Sequence, residues 1–267
     1  MGRSPKTLSL IVKIWPLGDW VNRMGRWPVV GPLLKPFFRP EENETIVIPV
    51  REAVQVPESV VLPEIILRPL VERASARFIL NECLCRRAAN RPTCPQDIGC
   101  LFLGDGAAEI HPALGRLADG DEALAHVRRA TEAGLLPQIV HAAFDAWMLG
   151  IRFRRMLAVC FCCDCCCAVR RTLRLGPPIF QETVLRLPGL LVTVGPECVG
   201  CGRCAKVCLV GAIRMENGRA SISEDCKGCG RCVAACPQGA IALHLDPEVD
   251  PAGQLIARIE RRTEIGG

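Results

Sequence analysis

Cysteines grouped in runs are the residues of this sequence most suited to chemistry, and there are 18 of them in 267 residues. Two of the runs share the spacing CxxCxxCxxxC and repeat at a constant offset of 28 residues. Thiolates at intervals of three residues can wrap one iron–sulfur cubane, and the glycines between them let the backbone approach its sulfides. The spacing therefore predicts two [4Fe–4S] clusters.

The ligands of these two clusters are expected to cross over between the runs. The fourth cysteine of such a run lies beyond the loop, at the start of a helix, and ligates the other cluster. We therefore assign Cys198, Cys201, Cys204 and Cys236 to cluster 1, and Cys226, Cys229, Cys232 and Cys208 to cluster 2. Two zinc sites are the alternative, because CxxC pairs also bind zinc. The doubled run is far more specific than one CxxC pair.

This segment resembles the bacterial-type ferredoxins that hold two [4Fe–4S] clusters. The resemblance implies a compact fold of two small hairpins and two helices, with clusters close enough for fast electron exchange. Leu209 follows Cys208, whereas Pro237 follows Cys236 as the family pattern expects. Four basic side chains lie beside the ligands, namely Arg203, Lys206, Lys227 and Arg231. They favour a redox protein partner with an acidic docking surface.

Ten further cysteines fall into two groups. They are Cys83, Cys85, Cys94 and Cys100, and then Cys160, Cys162, Cys163, Cys165, Cys166 and Cys167. Six thiols within eight residues are a chemical hazard unless they have a ligand or redox role. We predict that both groups supply ligands to one or more additional iron–sulfur clusters. Thiol–disulfide chemistry and inert buried thiols are the alternatives.

The local geometry expected for these ten thiols comes from their surroundings. Cys83 and Cys85 follow an apolar segment that looks extended, and in an extended chain positions i and i+2 point the same way. The second group leads into a predicted helix at Ala168–Leu175, where helical spacing would pair Cys163 with Cys166 or Cys167. A helix N-terminus also lowers thiol pKa values.

A second resemblance covers roughly residues 45–245. An uncharacterised family of iron–sulfur proteins from anaerobic prokaryotes has a CxCR stretch, a CxxLG stretch and a CNCCxCCC run before a ferredoxin module. The matching segments are Cys83–Arg86, Cys100–Gly104 and Cys160–Cys167, with Phe161 in place of the asparagine. The resemblance implies anaerobic metabolism and supplies no reaction.

The composition indicates a globular protein with reduced thiols. Hydrophobic residues make up 49% of the chain, and no apolar run reaches the roughly 18–20 residues that span a bilayer. The early apolar run Leu8–Trp15 is interrupted by Lys13 and does not look like a signal peptide. We therefore expect a cytoplasmic protein, with membrane association through its N-terminus as a further possibility.

The elements that must position these cysteines predict an α+β fold. It consists of a ferredoxin-like two-cluster C-terminal module plus a cysteine-rich α+β N-terminal domain with an extended N-terminal arm. Residues 78–80 and 45–50 are expected to be extended, Asp121–Gly134 to be helical, and residues 62–77 to be helical in part, limited by Pro69. The predicted divisions are the arm (1–42), the cysteine-rich domain (43–176), a linker (177–189), the ferredoxin module (190–247) and a tail helix (248–267).

The arm carries the basic excess of the chain. Residues 1–40 hold seven basic side chains and one acidic side chain, whereas the whole chain has a net charge of +5. Three tryptophans and recurrent prolines accompany them, and the prolines favour extended segments. We expect this arm to dock on a partner or an anionic membrane surface, or else to pack on the chain's own core.

Three functions compete on this sequence. The favoured one is a relay of single electrons to or from a larger redox enzyme. The second is a reductase whose N-terminal domain does chemistry at a special iron–sulfur or dithiol site fed by the ferredoxin module. The third is a redox sensor. No DNA-binding element is found, so we expect no nucleic-acid partner.

Overall fold

The computed structural model describes residues 2–49, 62–89, 94–163 and 165–266. Within these residues the strands form one sheet of seven strands and two sheets of two strands. The strands are β1 (Asn43–Val47), β2 (Arg77–Leu80), β3 (Leu101–Leu103), β4 (Gly115–Leu117), β5 (Leu136–Ala142), β6 (Leu157–Cys162), β7 (Val184–Arg186), β8 (Leu190–Val194), β9 (Ile213–Glu216), β10 (Arg219–Ile222) and β11 (Ile241–Leu245).

The helices of the described residues are mostly short. They are α1 (Pro5–Ile14), α2 (Leu17–Met24), α3 (Gly31–Leu34), α4 (Leu62–Arg73), α5 (Leu84–Ala89), α6 (Gly120–Glu132), α7 (Ala143–Leu149), α8 (Ala168–Leu175), α9 (Arg203–Val207), α10 (Arg231–Ala234) and α11 (Pro251–Glu260). The mixture of helices and sheets confirms the α+β class. None of the helices in the described part of the chain is long and apolar enough to cross a bilayer.

The seven-stranded sheet has the order β4-β2-β3-β6-β5-β1-β7. Its neighbours are antiparallel except β1 and β7, which are parallel. The cysteine-bearing strand β6 therefore lies in the middle, between β3 and β5. The register pairs Val159 of β6 with Leu101, so Cys160 lies beside Cys100, the residue before β3. Sheet pairing thus brings the two N-terminal cysteine groups together.

Helices cover both faces of this sheet and create two apolar layers. Buried side chains of α4, α6 and α11 pack on one face, and those of α1 and α7 pack on the other. Side chains alternate across β6, as the period of two in a strand requires. Val159 and Phe161 face the α4 layer, whereas Ala158 and Cys160 face the α1 layer.

Two predicted helices are confirmed because local signals set their ends. Helix α8 has the predicted bounds, Ala168–Leu175, and Cys167 is its N-cap residue. Helix α6 begins at Gly120, one residue before the predicted start. Its capping box joins Asp119 and Glu122, which each accept a hydrogen bond from the other's backbone N–H.

The arm is not extended, so that part of the sequence prediction is wrong. Helices α1, α2 and α3 occupy much of it, followed by the 3-10 turn Lys35–Phe38. Of the recurrent prolines that favour extended segments, Pro32 stands in the first turn of α3 and Pro36 in the first turn of Lys35–Phe38, and Pro5 likewise begins α1. The first helical position tolerates proline because its N–H has no intrahelical acceptor.

The arm also contacts the rest of the chain. Leu8, Ile11 and Val12 of α1 are buried in the α1 layer of the core. The backbone N–H groups of Gly2 and Arg3 donate to the carbonyls of Glu109 and Leu149. One side of the arm is therefore part of the domain core.

Two other segments differ from expectation. Helix α4 runs through Pro69 and ends at Arg73, because buried Ile66, Leu67 and Leu70 pack the helix on the sheet despite the missing hydrogen bond. Residues 177–189 were predicted to be a linker, and they include β7, which extends the seven-stranded sheet. Phe78–Leu80 is extended, as predicted. Residues 45–47 belong to β1, and Val50 of that predicted strand lies outside the described residues.

The C-terminal part has the duplicated strand–loop–helix–strand form that the repeat predicts. Strand β8 pairs with β11, and β9 pairs with β10, both antiparallel. Helices α9 and α10 follow the two cysteine loops. Beyond the module, α11 buries Leu255, Ile256 and Ile259, the apolar stripe read from the sequence.

Candidate metal centres

The first cavity lies in the ferredoxin-like module, and four cysteines line it. They are Cys198, Cys201, Cys204 and Cys236. Gly200 and Gly202 of its loop have φ values of 65° and 70°. A side chain at Gly200 would also meet the carbonyl oxygen of Gly218 at 2.3 Å, so the loop needs glycine there.

The second cavity repeats this arrangement with the other four cysteines. Cys208, Cys226, Cys229 and Cys232 line it. Each cavity thus combines three cysteines of one run with the fourth cysteine of the other, the combination that the spacing predicts. Gln138 of β5 and Arg170 of α8 also line the second cavity. The second cavity therefore faces the N-terminal domain.

Backbone N–H groups point at the sulfurs of both cavities. The N–H of Ala212 donates to Cys208 Sγ at 3.3 Å, and the N–H of Ala240 donates to Cys236 Sγ at 3.3 Å. Equivalent bonds from Ala220 to Cys198 and from Gly228 to Cys226 are 3.4 Å long. Such donors stabilise thiolates and cluster sulfurs.

Two opposing effects act on the pKa values of the thiols in the module. Backbone N–H donation from Ala220 and Gly200 lowers the pKa of Cys198. Burial, reinforced by the neighbouring Cys229 and Cys226 thiolates, raises the pKa of Cys232 to about 12. Buried thiols of this kind lose their protons when a metal binds and compensates the charge. Four such sulfurs with backbone N–H donors fit a [4Fe–4S] cluster.

Residues 197–241 match the family of 4Fe-4S dicluster domains. No curated protein and no solved structure matches the chain. The matched segment contains all eight cysteines of the duplicated runs. The prediction of an iron–sulfur module with ferredoxin character is therefore confirmed for this part of an iron–sulfur protein.

The ten N-terminal cysteines separate into two sets in space. The larger set, which we term the six-thiol set, has members on β6, at the N-terminus of α8 and in the segments around α5 and β3. It consists of Cys83, Cys85, Cys100, Cys160, Cys162 and Cys167. Within it, Cys100 Sγ lies 3.3 Å from Cys160 Sγ, and Cys167 Sγ lies 3.1 Å from Cys162 Sγ.

The pKa values of the six-thiol set show how closely its members interact. A hydrogen bond with the Cys85 thiol lowers the pKa of Cys83 to about 6, against an opposing effect of burial. The same bond and burial raise the pKa of Cys85, and charges on Cys83 and Cys167 raise it further. A hydrogen bond with Cys162 and backbone N–H donation at the start of α8 lower the pKa of Cys167. The set therefore includes thiols that are ready to act as thiolate ligands.

The second set, which we term the four-thiol set, consists of Cys94, Cys163, Cys165 and Cys166. The sulfurs of Cys94, Cys163 and Cys165 lie within 4.8 Å of one another. Cys166 Sγ lies 3.0 Å from Cys165 Sγ. Burial and the neighbouring Cys163 and Cys165 thiols raise the pKa of Cys94 to about 11. Four thiols in one place are the number that one [4Fe–4S] cluster requires.

The expected local geometry of these cysteines needs two corrections. Cys83 and Cys85 are neighbours, but they lie at the start of α5, where the chain is already turning into a helix. Cys160 and Cys162 belong to a strand and Cys167 caps a helix, so helical spacing does not govern the run. Cys162 contacts Cys167, five residues on, because the chain reverses between β6 and α8.

Of the six arginines that flank the cysteine groups in the sequence, two are buried among the thiols. Arg86 is fully buried, and Arg170 is 4% exposed. Three of the others pair with carboxylates: Arg87 with Glu82, Arg155 with Glu109, and Arg171 with Asp19. The sequence does not distinguish these roles, because burial depends on the sheet order.

Sequence reasoning missed Gln138. Its side-chain oxygen accepts a hydrogen bond from Cys162 at 3.2 Å and lies 3.9 Å from Cys167 Sγ. Gln138 also lines the second cavity. A polar residue in the first half of a mostly apolar strand, Leu136–Ala142, is the signal that could have identified it, although His141 of the same strand carries the same signal.

Proposed function

We propose that this protein relays single electrons to or from a larger redox enzyme through two [4Fe–4S] clusters, and that its N-terminal domain holds at least one further iron–sulfur cluster. The observation that carries the proposal is the pair of four-cysteine cavities, of which one has an exposed cysteine and the other is lined by residues of the N-terminal domain. Cys201 and Val199 of the first cavity are exposed, whereas Gln138 and Arg170 of the N-terminal domain line the second cavity, which has no exposed cysteine. An electron can therefore enter at one side and leave toward the other.

The surface beside the first cavity supports a redox partner with an acidic docking face. Arg203 and Lys206 of α9 are exposed there, next to exposed Cys201. Positive charge at the mouth of an electron-transfer site steers acidic partners toward it and orients them. Electron exchange with the partner is thus proposed to occur at cluster 1.

Anaerobic preparation of the full chain tests this function. We expect about eight irons per chain or more, with broad absorption near about 400 nm that bleaches on reduction, because eight thiols form two complete cubane ligand sets. A preparation with stoichiometric zinc and fewer than about four irons would sink the proposal.

A reductase is the second candidate, and one observation favours it. The six-thiol set contains two more thiols than a single [4Fe–4S] cluster uses. A centre with surplus thiols can react with a substrate disulfide or leave an iron site open. An N-terminal centre that binds an added thiol ligand in spectroscopic titration would favour the reductase over the relay.

We also propose that residues 1–40 contact an anionic membrane surface. Nine large hydrophobic side chains between Leu10 and Phe37 are exposed, out of sixteen in the described part of the chain. Seven basic residues accompany them. Exposed apolar groups flanked by basic groups bind anionic lipid surfaces through burial and charge attraction together.

A further inference from the structure

The two N-terminal thiol sets lie on opposite sides of strand β6. Cys100 and Cys160 pack against the α1 layer, whereas Cys163 and Cys166 belong to the α4 layer. The close sulfur contacts of Cys160–Cys167 follow this division, since Cys162 contacts Cys167 and Cys165 contacts both Cys163 and Cys166. A single cluster would have to draw ligands from both sides of the sheet.

A buried cation lies between the two sets. Arg86 of α5 is fully buried and donates hydrogen bonds to the carbonyls of Phe161, at 3.0 Å, and Ile98. Its Nε has no hydrogen-bond partner within the described residues. The Cys83 and Cys163 thiols lie close enough to its guanidinium to interact with its charge. Arg86 therefore faces one member of each set.

A buried guanidinium is costly unless anions surround it. Arg86 donates hydrogen bonds to two neutral carbonyls and also interacts with the Cys163 thiol, so its charge must be balanced by the sulfur groups on either side. Iron–sulfur clusters with thiolate ligands are anions, and they would provide that balance on both sides at once.

A second buried cation lies between the six-thiol set and the ferredoxin-like module. Arg170 follows Cys167 by three residues and lines the second cavity. The thiols of Cys162, in the six-thiol set, and of Cys229, in the second cavity, both lie close enough to its guanidinium to interact with it. Gln138 spans the same gap, because it contacts Cys162 and also lines that cavity.

We propose that the four-thiol set and the six-thiol set are two separate iron–sulfur sites, with Arg86 between them and Arg170 between the six-thiol site and the second cavity. The four-thiol site takes one [4Fe–4S] cluster. The six-thiol site takes an iron–sulfur centre of at least four irons with two additional thiols. The sites and the two ferredoxin clusters then form a series in which the six-thiol site is the neighbour of cluster 2.

The redox step in this series is a simple exchange of one electron, and it rests on the proposed electron-transfer function. The reduced cluster of the second cavity is oxidised by one electron, and the centre in the six-thiol site is reduced by one. The electron can pass on to the four-thiol site past Arg86. No bond forms or breaks, and no proton is transferred.

Iron analysis of the intact, anaerobically assembled chain is the first test. Four sites of four irons predict about sixteen irons per chain or more, with a matching amount of sulfide. About twelve irons would mean one N-terminal cluster and would overturn the proposal. About eight would overturn it and also contradict the further N-terminal cluster of the proposed function, while the two-cluster relay would stand. Fewer than eight would contradict the relay itself.

Matched variants then test whether the sites are separate. One variant replaces three cysteines of the six-thiol set (C160A, C162A, C167A), the other replaces three of the four-thiol set (C163A, C165A, C166A), and a third combines all six changes. We expect each triple variant to lose about four irons or more and the combined variant to lose the sum. Equal losses in all three variants would show one shared cluster.

Alkylation of the intact protein provides a measurement that does not depend on the variants' folding. With both sites filled, at least eight of the ten N-terminal thiols are expected to resist alkylation until iron is removed. Resistance confined to one set, with the other set fully alkylated in the iron-loaded protein, would overturn the two-site proposal.

Discussion

Two buried arginines lie between the groups of thiols that we propose to be separate sites. Arg86 and Arg170 are the buried Lys or Arg side chains of the described residues, and each lies among thiols that belong to two different groups. A cation held in a dry place stabilises anions on both of its sides more than a surface cation can. Positive charge in these positions should also make the neighbouring centres easier to reduce.

The grouping of eight cysteines around the two cavities of the ferredoxin-like module could be predicted from the sequence, whereas the division of the other ten cysteines could not. Spacing of three residues within a run is a local property, so the printed sequence contains the ligand sets of Cys198–Cys208 and Cys226–Cys236. The partners of Cys94 and Cys100 depend on which strand lies next to β6, and that is set by long-range pairing.

The crossing of ligands between the two runs is testable at the level of one residue. In a background that lacks cluster 2 (C226A, C229A, C232A), Cys236→Ala is expected to remove about four further irons, since Cys236 lines the first cavity. Cys208→Ala in the same background is the matched control and should remove none. Iron analysis and the spectrum of the reduced protein measure the cluster content of both variants. Loss on Cys208→Ala instead would reverse the assignment.

Among the elements, β6 has the greatest influence on the candidate sites. Its alternation directs Cys160 and Cys162 to one side and Phe161 to the other. The chain then turns into α8, which returns Cys167 to the side of Cys162 while Cys163 and Cys166 stay on the opposite side. A strand followed immediately by a turn and a helix can thus supply two metal sites from eight residues.

A helix was predicted accurately when the residues that fix its ends are close to those ends in the sequence. Helices α6 and α8 were predicted well because capping residues and a glycine after the helix act within a few residues of its ends. The arm helices were missed because a proline signals both a helix start and a helix break. Packing of residues such as Leu8 in the core decides whether a helix starts or breaks at a given proline.

The capping box of α6 leads to a prediction about local stability. Asp119→Ala removes the acceptor for the N–H of Glu122, and such a loss costs about 1 kcal/mol. We expect amide hydrogen exchange in the first turn of α6 to accelerate roughly fivefold in the iron-loaded protein. Asp121→Ala, which removes an exposed acidic side chain of the same turn, is the control and should have a smaller effect. Unchanged exchange in the Asp119 variant would refute the role of the cap.

At the scale of the whole molecule, the ferredoxin-like module is integrated with the N-terminal domain. Leu190 and Leu243 of its β8–β11 sheet are buried in the same core layer as α4 and α6. Arg170 and Gln138 contribute to its second cavity from outside the module. The sequence shows a self-contained repeat, and its packing reveals that the second cavity lies beside the N-terminal domain.

The arm gives the molecule an exposed apolar and basic surface at a place remote in sequence from the cysteines. One side of α1 is buried, yet Trp20, Trp27 and Phe37 are each more than half exposed. Exposed side chains of this size rarely cluster on a soluble surface without a binding role. Both the core-packing and the docking alternatives for the arm therefore have support, on opposite sides of the same segment.

Vesicle binding separates these two roles of the arm. Replacing Trp20, Trp27 and Phe37 by serine removes three large exposed groups, and it is expected to weaken binding to anionic vesicles by on the order of tenfold or more, since burying each such group contributes about 1 kcal/mol or more. The control replaces Ile65, Leu117 and Leu191 by serine, which are exposed elsewhere, and it should bind like the unchanged protein. Cosedimentation with vesicles measures binding, and vesicles of neutral lipid or added salt should reduce it because the basic residues lose their attraction.

Iron content should stay constant in both variants, since neither alters the core side of α1. Equal binding of the two variants would show that the arm does not contact lipid, and loss of iron in the arm variant would show that its exposed face supports the fold instead.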